Sequence, residues 1–179
     1  MMLTFGVQSS SVYAQEVKIV SGAYFINTGR MVVVSNTKIV NAGTITNNST
    51  GSIKLAGNWQ NDGTYIGETG SALTLNGTSA QEIGGSNQTM FSNLTLNNNT
   101  GFTLSNNIIV NDLLDFQNGI LTTGVNALTI GASGIITNAN ASNYVNGKLA
   151  FTFNTVGSKF YPIGKGGNYR PSKSLMHPS

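Results

Sequence analysis

The sequence predicts an all-β chain, a parallel β-helix (β-solenoid) followed by the start of a truncated β-sandwich-like unit, and three observations carry that prediction. Only 8% of the 179 residues are charged, against roughly 25% in ordinary globular domains, so the surface is built from Asn, Thr, Ser and Gly. These residues suit tight turns and pleated surfaces, because Asn and Gly tolerate positive φ and Thr fits a strand. An Asn-x-Gly turn recurs at Asn27-Thr28-Gly29, Asn41-Ala42-Gly43 and Asn61-Asp62-Gly63. The segments after the last two, TITNNSTGSIKLAG and TYIGETGSALTLNG, align at an offset of about 20 residues, the scale of one solenoid coil. Finally, short runs such as Leu94-Thr95-Leu96, Phe102-Thr103-Leu104 and Leu128-Thr129-Ile130 alternate apolar and polar residues. Such runs send one set of side chains inward and the other to water.

Along the chain, residues 1–14, MMLTFGVQSSSVYA, combine a short apolar run from Met2 to Val7 with Val12 and Ala14 at the small-residue positions before a cleavage point at Gln15. They read as a partial signal peptide and place the protein in the secreted or outer-surface class. Residues 15–142 carry the repeats. In the stretch 57–77, Asn61 to Gly63 turns the chain, Leu73 and Leu75 face the core and Gly77 closes the coil. In IIVNDLLDF, residues 108–116, Asn and Asp argue against a helical turn. Residues 143–171 hold most of the late aromatics, two of the three prolines and a long alternating run from Tyr144 to Phe153, and are expected to form an incomplete C-terminal β unit. Residues 172–179, SKSLMHPS, show no strand pattern and are expected to be a tail.

A coil of about 20 residues cannot bury its own apolar edge, but a neighbour stacked on it covers that edge and continues the backbone hydrogen bonding. Stacking also lets Asn side chains satisfy one another in ladders, and the chain holds some two dozen Asn. It disfavours charge, since like charges on successive coils would repel at a strand spacing of roughly 4.8 Å. An uncovered solenoid end is an open sheet edge, so edge pairing with another chain is expected at the C-terminal end.

The ordered series Gly57-Asn58-Trp59, Asn61, Gly63, Gly70, Leu73, Leu75, Gly77, Gln81, Ile83, Phe91, Asn93-Leu94-Thr95-Leu96, Gly101 and Leu104 resembles the repetitive secreted, adhesin-like surface proteins of Bacteroidota. Gly119, Leu121, Tyr144-Val145, Gly147, Pro162-Ile163-Gly164 and Tyr169-Arg170-Pro171 resemble the junction that follows those repeats. The resemblance spans about residues 55–171 and rests on the series rather than on one diagnostic motif. It implies a right-handed parallel β-helix, export by the type IX system and a further β-sandwich opened by the Tyr-Arg-Pro segment. The chain stops where that sandwich would begin and carries no C-terminal sorting domain, so it is expected to be a fragment of a longer protein. No catalytic residue carries over from the resemblance.

The ionisable groups available for chemistry are Glu16, Asp62, Glu68, Glu82, Asp112, Asp115 and His177. Polysaccharide lyases and hydrolases on β-helices use clustered carboxylates, some with calcium and a basic residue, which makes Asp112 with Asp115 the sharpest pair. No Lys or Arg lies near them in sequence, and both sit among turn residues, so they are expected to be solvated turn acids. Asp62 is expected to be a turn former. His177 stands two residues from the end without a partner. Trp59, the single tryptophan, is expected to fill a coil corner rather than to stack on a sugar. A Gly-Gly-x-Gly-x-Asp calcium repeat would need an Asp in every coil, and GGSNQ at 84–88 lacks it. An ice-binding face would need a Thr-x-Thr in each coil, and Thr44-Ile45-Thr46 stands alone. With no cysteine there is no thiolate metal site or disulfide framework.

The net charge of +3 comes from nine thinly scattered Lys and Arg, which is not the dense cationic stripe that nucleic acid requires. No window approaches the roughly 20 apolar residues of a membrane span. The expected function is therefore a non-enzymatic structural or adhesive segment of a bacterial surface protein, without cofactor, catalytic or metal residues, whose partners are cell-surface glycans or other surface proteins. The rival expectation is a carbohydrate-active β-helix, with Asp112 and Asp115 nearest to chemistry.

Overall fold

The alternating runs pair in parallel with the runs one coil before and after them, and this pairing stacks the chain into a β-solenoid of about seven turns. A computed structural model describes residues 16–33, 37–154 and 157–176, and among them every regular element is a strand. Three faces run along the stack. The first holds Glu16–Ile19, Lys38–Asn41, Trp59–Asn61, Gln81–Gly84 and Phe102–Leu104, and then the opening residues of the long strands Leu121–Ile130 and Val145–Phe151. The second holds Tyr24–Asn27, Thr44–Asn47 and Thr64–Gly67, continued by the first residues of Thr89–Asn97 and Ile108–Asn118. The third holds Arg30–Val33, Ser52–Leu55 and Ala72–Leu75, continued by the later residues of those two strands and by Ile135–Thr137.

Because each face keeps its register, the inward residues form columns. On the third face Met31, Ile53, Leu73, Leu94, Leu114 and Ile136 lie in one column, and Val33, Leu55, Leu75, Leu96 and Phe116 in the next. On the first face Val17, Ile39, Trp59, Ile83 and Leu104 align in the same way. These columns meet in one continuous core. The alternation expected for Leu94 and Leu96, Phe102 and Leu104, and Leu128 and Ile130 is borne out, since all six are buried.

The Asn-x-Gly turns make the corners, and their Asn side chains point inward. Asn27 donates through Nδ2 to Asn47 Oδ1 at 2.8 Å, and Asn41 does the same to Asn61 at 2.8 Å, each bond spanning one coil. Asn41 also donates to the Thr64 carbonyl at 2.8 Å and accepts from the Gly43 amide at 3.2 Å. One buried side chain thus ties together the Asn61 side chain, the Thr64 carbonyl and the Gly43 amide. Asn41→Ala would leave Asn61 Oδ1 and the Thr64 carbonyl without this donor, and it is expected to cost about 2–3 kcal/mol in urea unfolding. A loss below about 0.5 kcal/mol, the range of ordinary surface changes, would contradict a buried ladder.

Residues 108–116 are strand, in line with the argument against a helical turn. Ile108–Asn118 turns a corner by a register shift, with Val110 opposite Phe91 but Leu113 opposite Asn93. The extra residue bends the strand from the second face to the third.

Two expected boundaries fall elsewhere. Residues 145–151, expected within a separate unit from 143, instead run parallel to the preceding coil, with Leu121 opposite Val145 and Leu128 opposite Leu149. Val145 in turn pairs with Ile163. The Tyr144-to-Phe153 alternation that suggested a new hairpin supplies the inward residues of another coil. Apart from an isolated antiparallel bridge between Asn140 and Asn143, antiparallel pairing among the described residues begins with Gly164 opposite Tyr169 and with Gly157–Tyr161 against Ser172–Met176. The latter strand replaces the start of the expected tail; its backbone pairing needs no apolar alternation, which is why SKSLM gives no signal. The leader-like residues 1–14 and His177 lie outside the described residues.

Candidate functional site

The carboxylates are used between coils. Asp112 Oδ2 accepts a hydrogen bond from Ser92 Oγ at 2.5 Å, in the coil before it. Asp115 Oδ1 accepts from Thr137 Oγ1 at 2.9 Å and Asn138 Nδ2 at 2.6 Å, in the coil after it, and its Oδ2 accepts from Gln117 at 3.1 Å. The two acids share no hydrogen-bond partner and are drawn in opposite directions along the stack. Glu82 accepts from Ser105 Oγ at 2.8 Å, Glu68 from the Ser49 amide at 3.1 Å, and Glu16 pairs with Lys38 at 3.5 Å. Among the described residues no three His, Asp or Glu gather in a metal-binding group.

Asp62 is the turn residue that its place between Asn61 and Gly63 suggests. Its Oδ1 accepts from the Ser86 amide at 2.8 Å and its Oδ2 from Gln60 Nε2 at 2.6 Å. The Ser86 amide and then the Gln60 side chain hold its carboxyl below the ordinary aspartate range. The stability it contributes is present above the unfolded-state value and is lost as pH falls through the lowered native value.

Trp59 fills the interior, 1% exposed. Its Nε1 donates to Thr89 Oγ1 at 3.1 Å, and its ring meets Tyr65 edge-on at 5.0 Å and Phe91 at 5.7 Å. The neighbouring Tyr65 hydroxyl accepts from Asn47 Nδ2 at 3.4 Å, and burial pushes its pKa up to about 12 against this opposing bond. A raised native pKa means that the stability held below pH 10 is lost as pH rises towards 12. Two units correspond to roughly 2–3 kcal/mol. Urea unfolding at pH 9 and pH 12 should therefore show a loss that shrinks by about that amount in Tyr65→Phe; an equal loss in both proteins would contradict the assignment.

A hollow lies where the third face turns into the first. It encloses about 610 Å³ and is lined by the corner residues Asn99, Asn118 and Asn143 on one side and by Thr103, Thr122 and Asn146 on the other. The second set is in register, one residue per coil, with Thr103 opposite Thr122 and Thr122 opposite Asn146. Gly101 and Gly119 both line it at positive φ, and a Cβ on Gly119 would collide with the Asn98 carbonyl oxygen, so glycine there lets the two coils approach at this corner. The Gly119 amide donates to Asn143 Oδ1 at 2.8 Å, which fixes one corner Asn from the coil beneath. Tyr144 forms part of the wall, and its buried hydroxyl has no hydrogen-bond partner among the described residues. Among the described residues no acidic, basic or imidazole side chain lines this hollow. A smaller one of about 250 Å³, lined by Lys38, Gly57, Asn58 and Gln81 among others, lies on the same corner in earlier coils, and Ala80 borders both.

Sequence reasoning did not single out these residues. Asn99, Asn118 and Asn143 look like any other turn Asn, and the alignment of Thr103 with Thr122 and Asn146 depends on unequal coil lengths. Chemically the corner offers uncharged donors and acceptors in two rows, which suits hydrogen bonding and not proton transfer. Compared with known proteins, the chain matches no family model, no curated protein and no solved structure. Among the described residues no helix is long and apolar enough to cross a membrane.

Proposed function

We propose that this chain is a non-enzymatic structural or adhesive segment of a bacterial secreted or cell-surface protein, related to the repetitive surface proteins of Bacteroidota that its sequence resembles. The solenoid acts as a spacer and offers its corners and faces to surface glycans or proteins. The observation that carries this reading is the use of Asp112 and Asp115 as inter-coil braces: each carboxylate is held by hydroxyl or amide donors from a different neighbouring coil. A general acid and base must instead converge on one substrate bond. Sparse charge agrees with this role, since stacked coils favour neutral side chains and uncharged ladders.

The test is product analysis. The chain is incubated with neutral and uronic-acid polysaccharides, with and without calcium, and the mixtures are examined for new reducing ends and unsaturated sugars. No product above the blank is expected. Products that disappear in Asp112→Asn or Asp115→Asn would overturn the reading in favour of a carbohydrate-active enzyme.

A further inference from the structure

We propose that the corner groove between the third and first faces binds an extended, uncharged oligosaccharide lying along the solenoid axis. The inference rests on the adhesive reading above and gives it a site and a ligand class. Three features of the groove specify the ligand.

The first is neutrality. Among the described residues the lining holds Asn and Thr but no acidic, basic or imidazole side chain, so an ionic ligand would lose hydration without finding a counter-charge. A neutral polyol exchanges hydrogen bonds to water for hydrogen bonds to amides and hydroxyls.

The second is free capacity. Asn99 and Thr103 are exposed, and neither side chain takes part in any of the hydrogen bonds that brace the corner, whereas Asn118 donates to Asn97 at 2.7 Å and Asn143 accepts from Gly119. The braced residues hold the shape while the unbraced ones remain available to a ligand. Such preorganisation lowers the cost of binding.

The third is repetition along the axis. Thr103, Thr122 and Asn146 present one polar group per coil in strict register, at a strand spacing of roughly 4.8 Å. That step is close to the length of one pyranose in an extended chain, so successive sugars meet successive coils. Ala80 joins this groove to the smaller hollow on the same corner, where the one charged lining residue among those described, Lys38, is paired with Glu16 at 3.5 Å, and this extends the track. Glycines and Ile120 in the floor, beside the polar rows, match the apolar C–H faces that a sugar presents between its hydroxyls.

The experiment is an NMR titration of the isotope-labelled chain with cellohexaose, mannohexaose, their disaccharides and hexagalacturonate. At least one neutral hexasaccharide is expected to shift the amide signals of Asn99, Thr103, Thr122 and Asn146, and to bind more tightly than its disaccharide. The double variant Asn99→Ala with Thr103→Val alters two exposed side chains, so it should keep the wild-type spectrum elsewhere and weaken binding about fivefold to tenfold. Absence of groove shifts with every neutral hexasaccharide at millimolar concentrations, shifts confined to another face, or tighter binding of hexagalacturonate would each overturn the proposal. Groove binding accompanied by cleavage of the sugar would support the site and overturn the non-enzymatic reading, so the two failures are separable.

Discussion

Replacing Trp59 with alanine is expected to lower the unfolding free energy by about 3–5 kcal/mol, a large part of the stability of a typical domain. The indole stands in the first-face column between Ile39 and Ile83 and closes an aromatic cluster with Tyr65 and Phe91. Its removal opens a cavity between coils that cannot collapse, because the strands above and below are fixed by their own ladders. It also strips Thr89 Oγ1 of its indole donor. Trp59→Phe should recover most of the packing and not the hydrogen bond, and so fall between the two. Urea unfolding followed by far-UV circular dichroism measures all three proteins without relying on the tryptophan signal. A Trp59→Ala protein within about 0.5 kcal/mol of wild type would mean that the ring is a surface group, as a sugar-stacking platform would be.

Gly85→Ala should be comparably damaging for a different reason. Gly85 has φ of 112°, and a Cβ there would stand 2.3 Å from the Asn61 carbonyl oxygen and 2.4 Å from its amide nitrogen. Both contacts are backbone in the coil beneath, so no side chain can swing aside, and the two coils must separate at that corner. Backbone strain and overpacking together give about 2–5 kcal/mol. Gly124 supplies the control: its φ is 59°, and a Cβ there meets nothing within 4 Å. Gly124→Ala therefore carries the conformational cost alone, about 1 kcal/mol. Equal effects at the two sites would show that coil-on-coil contact at Gly85 is not limiting.

What the sequence made legible follows from how local each signal is. The Asn-x-Gly turns, the aligned units after Gly43 and Gly63, and the alternation in Leu73-Thr74-Leu75 are all contained within one coil, and each led to the right element. Trp59 could be assigned to the interior because a single tryptophan in a coil-like repeat has a core to fill. The continuation of the stack through Val145–Phe151 was hidden because the coil from Leu121 to Val145 is longer than the one from Phe102 to Leu121, which breaks the repeat period while preserving the pairing. The partners of Asp112 and Asp115 were hidden for a related reason: Ser92 and Thr137 lie a full coil away, in opposite directions. The groove was the least visible, since it is assembled from corners of several coils and no coil holds more than a part of it.

The ladders, the braced carboxylates and the groove all exist only if the coils stack in the register described, and paired cysteines test that register directly. The chain has no native cysteine, so an introduced pair is the only thiol chemistry present. Thr74 and Thr95 are opposite each other on adjacent coils of the third face, with side chains outward, at a separation that parallel pairing makes compatible with a disulfide. Thr74→Cys with Thr95→Cys should form an intramolecular disulfide on mild oxidation, seen as a mobility shift that reductant reverses. Thr74→Cys with Thr103→Cys, on different faces, should not. Failure of the first pair to cross-link, or equal cross-linking of both, would contradict the stacked solenoid on which the functional reading depends.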